Sequence, residues 1–166
     1  ALRPFEVRRA QWEDFDWDEN ILRARQQKGD GFTRAVELPE IAIKWLEHIN
    51  AKEKTGPVTP ANITKQFALI RAAAGFKIAE GNFKSCKKWG LDEKIKNSSQ
   101  NKAVWVNDIC RHTGITYQLK TVRHIGEVAE WAGNSPEVIK KAYKSVAGVT
   151  KATTEAYYNL TPENVL

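Results

Sequence analysis

Two hydrophobic periods alternate along the chain. Ile21, Arg23 and Arg25 alternate with Leu22 and Ala24, and residues 33–38 alternate again after the turn-forming run Lys28-Gly29-Asp30-Gly31. Period two on both sides of a glycine-rich turn predicts a β-hairpin over residues 20–38. From Pro39 the spacing lengthens, and Ala42, Trp45, Leu46 and Ile49 fall on one helical face. Ile63, Phe67, Ile70 and Ala74 repeat that pattern, with Thr59-Pro60 as cap and first-turn proline and Gly75 as stop. Residues 105–120 read as a helix. Ile125, Val128, Ala129 and Ala132 form a further stripe ended by Gly133, and Ser135-Pro136-Glu137 opens a helix running to about Tyr143. Shorter helices are expected at residues 3–10, with Pro4 in the first turn, and at 153–160. Residues 76–104 are lysine-rich and weakly periodic, which predicts a long, mobile, basic loop. The sum is a mainly α fold with a small antiparallel β-sheet (α+β), with its core on the Trp45, Phe67, Ile70, Val128 and Ile139 faces.

Composition narrows the class. A chain of 166 residues that is 42% hydrophobic is long enough for one domain with its own core. No apolar run approaches the roughly 18 residues of a spanning helix, and no charged-then-apolar leader opens the chain. Cys86 and Cys110 form no CxxC spacing, so neither a disulfide framework nor a structural zinc is expected, and a reducing, cytoplasmic setting fits. The formal charge of +6 is uneven: residues 1–50 carry −2, 51–100 carry +6 and 101–166 carry +2. A basic middle suits a polyanion such as nucleic acid, and a solvated lysine-rich surface is the plainer alternative. GxSxG, P-loop, GxGxxG and HExxH patterns are all absent. His48, His112 and His124 are scattered and read as structural, so no metal and no small-molecule cofactor is expected.

What remains is a set of residues far apart in sequence whose chemistries complement one another. Arg3 and Arg111 can grip phosphate oxygens bidentately and stay charged. The Tyr143 hydroxyl can attack a phosphodiester and hold it covalently, and Lys28 can protonate a leaving oxygen. Leu2-Arg3-Pro4-Phe5-Glu6-Val7 and Trp12-Glu13-Asp14-Phe15-Asp16 occur near the start of the chain, and Thr33-Arg34-Ala35-Val36-Glu37-Leu38-Pro39 closes the hairpin. Asp108-Ile109-Cys110-Arg111-His112-Thr113 follows, and then Ala132-Gly133-Asn134-Ser135, with Tyr143 nine residues beyond Asn134. In this order and spacing the sequence resembles the catalytic domain of the tyrosine recombinase (phage integrase) family, over nearly the whole chain. It is most similar to a bacterial subgroup whose last box reads Ala-Gly-Asn-Ser-Pro.

The resemblance implies that Arg3 and Arg111 clamp the scissile phosphate, that Tyr143 attacks it to form a 3′-phosphotyrosyl link, and that Lys28 is the general acid for the 5′-hydroxyl. It places Asp108 and Asn134 in the same site, where the family usually has histidine or lysine and histidine or tryptophan. Asn134 can still donate to a phosphate oxygen, whereas an ionised Asp108 repels one. It further implies double-stranded DNA as partner, self-association as a tetramer on DNA, and an upstream core-binding domain. With no methionine and a start at Ala1, the chain is expected to be an N-terminally truncated version of that domain. Lys65 and Arg71 are candidate DNA contacts from the residue 59–74 helix, and Lys84, Lys87 and Lys88 would add a salt-sensitive term. The last helix, with Tyr157, Tyr158 and Leu160, is expected on a neighbouring subunit, with packing in cis as the alternative. Two other functional classes stand beside the recombinase: a catalytically impaired DNA-binding relative, and an unrelated basic helical module binding RNA or protein.

Overall fold

The computed structural model describes residues 1–29, 31–77, 103–106, 108–143 and 148–166. The stretch expected to form the basic loop, with Lys84, Lys87 and Lys88, lies almost wholly outside the described residues. The chain divides into two compact units, one made of Ala1–Val58 and Cys110–Leu166 and the other of Thr59–Ile109.

The first unit opens with α1 (Pro4–Arg9), where Pro4 takes the first-turn position and Glu6 returns its carboxylate to the Arg3 backbone N–H at 2.6 Å. Strands β1 (Phe15–Asp16), β2 (Ile21–Arg25) and β3 (Phe32–Glu37) form an antiparallel sheet in the order β1-β2-β3. The hairpin is where alternation predicts it. β1 is an addition, since two residues are too few to show a period. Register pairs Leu22 with Val36 and Ala24 with Arg34, so Leu22, Ala24 and Val36 share a buried face and Arg34 joins them. The buried Asp14 carboxylate receives both Nε and NH2 of Arg25 at 2.6 Å, which ties the turn before β1 to β2.

Helix α2 (Glu40–His48) follows directly. After α3 (Ile63–Ala73), which belongs to the second unit, α4 (Ile109–Val122), α5 (Ile125–Ala132) and α6 (Pro136–Ala142) supply the rest of the core around Ile115, Val128, Ala129, Ala132 and Ile139. Caps are placed as the sequence requires: His124 Nδ1 accepts from the Glu127 N–H at 3.2 Å, and Ser135 Oγ accepts from Val138 N–H at 3.3 Å. His124 is thereby a capping residue, as its structural reading expected. Helix α7 (Lys151–Tyr158) packs in cis. Tyr157 stacks on Tyr117 with ring centroids 4.2 Å apart, and the Tyr158 hydroxyl donates to Gln118 Oε1 at 2.9 Å. The alternative left open by the sequence is the one seen within this chain. A short α8 (Pro162–Val165) was not expected, although Thr161-Pro162-Glu163 repeats the cap–proline–acid signature of Ser135-Pro136-Glu137.

The second unit contains α3 (Ile63–Ala73), which starts three residues after Pro60. The Thr59-Pro60 start is therefore corrected: Ile63 N–H closes a turn onto the Pro60 carbonyl at 2.9 Å, and Asn62 becomes the cap position. Gly75 ends α3 at φ +88, where Phe76 N–H reaches back to the Arg71 carbonyl and Gly75 N–H to Ala72. The expected helix start at residue 105 is also corrected. Lys77 N–H pairs with the Ala103 carbonyl, Trp105 packs edge-on to Phe76, and Asp108 sits at φ +57, a left-handed angle that a helix cannot run through. Phe67 and Ile70 were expected in the core but are 37% and 59% exposed. Among the described residues no helix is long and apolar enough to cross a membrane.

Neighbouring residues of α6 give a test of the core. Ile139→Ala, at a fully buried side chain, should cost about 2–5 kcal/mol in urea unfolding. Val138→Ala, at 48% exposure, should stay within about 0.5 kcal/mol of the parent. The α7 contact gives a second test. Burial raises the Tyr157 and Tyr158 phenols above the ordinary value, against a lowering hydrogen bond from Thr121 at Tyr158. The folded state thus favours neutral rings. Their contribution is complete below pH of about 10 and is lost as pH climbs through the raised values. Ultraviolet titration should find two tyrosines ionising later than free tyrosine.

Candidate active site

The end of α5 organises the site. Gly133 takes φ +63, and its N–H bonds back to Ala129 and Glu130, while Asn134 N–H bonds to the Ala129 carbonyl. This left-handed cap satisfies the Ala129 and Glu130 carbonyls but leaves those of Trp131, Ala132 and Gly133 without backbone partners. Each is taken by a different guanidinium. Arg34 NH1 donates to Trp131 O at 2.5 Å, Arg111 NH2 donates to Ala132 O, and Arg3 NH2 donates to Gly133 O. The carbonyl end of a helix is its negative pole, so three cations suit it. The fold thus brings Arg3, at the start of α1, and Arg111, in the first turn of α4, to one helix end.

Among the described residues a single carboxylate enters this cluster. Glu6, on the inner side of α1, is fully buried; its Oε2 receives Arg34 NH2 at 3.0 Å, and its Oε1 lies 3.7 Å from Arg3 NH1. Arg34 NH2 and Arg111 NH1 also donate to the Ala1 carbonyl. Burial, with repulsion from Arg3 and Arg34, pulls the Arg111 guanidinium below its usual value, while Glu6 and Tyr143 act in the opposite direction. Three guanidinium groups against one carboxylate leave local positive charge, which is the condition for holding an anion.

Asn134 stands at the same turn. With its amide oxygen toward Arg111, Oδ1 accepts from NH2 at 3.3 Å and Nδ2 donates to Gly133 O at 3.2 Å. Tyr143 caps α6, its N–H bonded to the Ile139 carbonyl at 2.9 Å. Its ring lies 5.0 Å from that of His112, the residue after Arg111. Tyr143 is 7% exposed and close enough to Arg111 for a phenolate to support the guanidinium charge. His112 thus has a packing role beside the tyrosine, in keeping with its structural reading.

The other expected site residues stand on the β2–β3 turn or in the second unit. Lys28 is exposed on the β2–β3 turn, and Arg9 of α1 holds that turn by donating to the Gly29 carbonyl at 2.5 Å. Asp108 is exposed at its left-handed angle in the second unit, as is the helix carrying Lys65 and Arg71. Arg71 does not present a free cation: its guanidinium lies 4.5 Å from the Trp105 ring centroid and 5.9 Å from that of Phe67. Among the described residues no group of three or more histidine, cysteine, aspartate or glutamate side chains could hold a metal ion.

Sequence reasoning did not single out Arg34 and Glu6. Both carried a signal. Alternation puts Arg34 on the same strand face as Val36, an unusual place for a charge, and Glu6 stands three residues after Arg3, the spacing of a reciprocal cap. No family model, curated protein or solved structure matches the chain.

Gly133 is the tightest point of the cluster. A Cβ there would stand 2.5 Å from Arg34 Nε, at a φ that L-residues avoid. Gly56 also has a positive φ, +76, but open space around it. Gly56→Ala should cost about 1–2 kcal/mol from backbone strain alone, and Gly133→Ala measurably more, because Arg34 must give up hydrogen bonds. Equal losses in urea unfolding would show that Arg34 moves aside freely.

Proposed function

We propose that this chain is a tyrosine recombinase catalytic domain that cleaves and rejoins DNA through a 3′-phosphotyrosyl intermediate. The observation that carries the reading is the meeting of Arg3, Arg111 and Asn134 at the turn that leads into the helix capped by Tyr143. Partly buried guanidinium groups in fixed positions offset charge that builds on the non-bridging oxygens of a pentavalent phosphorus. They need no metal to do so.

In the proposed step Tyr143 Oη attacks phosphorus, the P–O5′ bond breaks, and the strand stays linked to the protein through its 3′-phosphate. Lys28, on its turn tethered to α1, gives a proton to the departing 5′-oxygen, and the phenol proton passes to solvent. The linkage keeps the energy of the phosphodiester, so a second strand's hydroxyl can reverse the step. Tetrameric assembly on double-stranded DNA belongs to the same reading, as does Lys65 on the second unit as a phosphate contact. The impaired-relative reading draws on the burial of Tyr143 and on Asp108, an acid where the recombinase box carries a donor.

The test uses a pool of random-sequence duplexes carrying 5′-bridging phosphorothiolate linkages, which release a poor nucleophile and trap the covalent state. The chain should yield a denaturant-resistant DNA adduct that maps to Tyr143 by peptide mass. Tyr143→Phe should abolish it, a loss of at least about a thousandfold, while DNA affinity changes less than about twofold. DNA binding with no adduct, unchanged when Asp108 and Asn134 are both replaced by histidine, would favour the non-catalytic relative. Absence of both binding and adduct would exclude the family reading.

A further inference from the structure

We propose that Arg34 is a positioning residue that holds the Glu6 carboxylate away from Arg3, so that the Arg3 guanidinium keeps its charge and donors open to an incoming phosphoryl group. The proposal rests on the recombinase reading for the identity of that group, and on the geometry of the cluster for the rest.

Among the described residues, Glu6 is the carboxylate paired with both Arg3 and Arg34. Its two oxygens are treated unequally. Oε2 accepts from the Arg3 backbone N–H at 2.6 Å and from Arg34 NH2 at 3.0 Å. Oε1 is buried with no hydrogen-bond partner and faces Arg3 NH1 at 3.7 Å, outside bonding reach. A buried carboxylate oxygen without a donor is costly, and a guanidinium one ångström too far away is the evident remedy. Two parallel bonds to Arg3 would be the stronger arrangement for Glu6 itself.

Arg34 opposes that closure. It pins Oε2, and it is itself fixed by the Trp131 carbonyl at 2.5 Å and the Ala1 carbonyl at 3.0 Å, in a space beside Gly133 that a Cβ there would fill. Arg34 spends these donors on scaffold and leaves its Nε buried without a partner. Its place on the inner face of β3, opposite the small Ala24, gives the long side chain room to reach the helix end. Without Arg34, a small rotation brings Glu6 onto Arg3 in a forked pair, and the site loses one of its cations to internal neutralisation.

Four variants test this, read by two assays: the rate of the trapped DNA adduct, and the affinity for orthovanadate, a phosphoryl mimic, by titration calorimetry without DNA. Arg34→Met keeps the stem and removes the guanidinium. It should lower both readouts about ten- to a hundredfold, the worth of a charge-assisted contact. Glu6→Gln keeps an acceptor for the α1 cap while removing the charge. Combined with Arg34→Met, it should restore both readouts to within about threefold of Glu6→Gln alone. A purely structural Arg34 gives no such rescue. Arg34→Lys, which can still pair with Glu6, should retain most of the parent's orthovanadate affinity, and it serves where Arg34→Met fails to unfold cooperatively. The proposal falls if Arg34→Met leaves orthovanadate affinity unchanged, if Arg34→Lys lowers it about tenfold or more, if the double variant stays as weak as Arg34→Met, or if the parent binds no orthovanadate. A parent that forms no adduct while orthovanadate follows the expected order removes the recombinase reading and leaves the role of Arg34 standing.

Discussion

Three consecutive carbonyls at the end of one eight-residue helix set the arrangement of everything around them. A helix must leave its last carbonyls unbonded, and here the left-handed Gly133 satisfies only the two upstream. The remaining three are bonded by arginines from three different elements: α1, β3 and α4. Backbone accounting thus fixes the positions of charged side chains. Because a helix terminus is a rigid acceptor array with a negative dipole, each guanidinium gains a defined place and a favourable field from the same contact. Burial first, and then repulsion from Arg3 and Arg34, holds the Arg111 guanidinium below its usual value, and the carbonyl array opposes that repulsion.

The same arrangement explains the imbalance of charge. A cluster built for stability alone would match its cations with acids, whereas this one admits a single carboxylate and meets its other donors with backbone carbonyls. Carbonyls orient a guanidinium without cancelling its charge. The result is a positively charged cluster beside a tyrosine and an asparagine amide. Asp108, Lys65 and Arg71 belong to the second unit, and within it the Arg71 guanidinium lies against aromatic rings.

Local signals were legible in the sequence and long-range ones were not. The hairpin, the Gly133 stop and the Ser135-Pro136-Glu137 start all depend on neighbours in sequence, and the fold has them where the residues predict. α3 begins later than expected because a local bond onto Pro60 draws its first residues into a turn, and α4 because Asp108 takes a left-handed angle and the residues before it pair with and pack on Lys77 and Phe76, which are distant in sequence. Phe67 and Ile70 show the limit of periodicity, which finds a face but not what that face meets. The order Arg3, Arg111, Asn134, Tyr143 pointed to a site. The part played by Arg34 was hidden, because an arginine in an alternating strand reads as surface charge until the register puts it beside Val36.

The ties at the end of α5 are long in sequence as well as short in space. The bond from Arg3 to Gly133 spans 130 residues and that from Arg34 to Trp131 spans 97. Contacts of such separation form late, after local helices and the hairpin, since closing large loops carries an entropic cost that only the nearly complete structure offsets. The arginine cluster is therefore a property of the finished chain and has no counterpart in a partly folded one. A nascent or damaged polypeptide can carry every one of these side chains and still lack their arrangement, so the placing of this charge is coupled to folding completion.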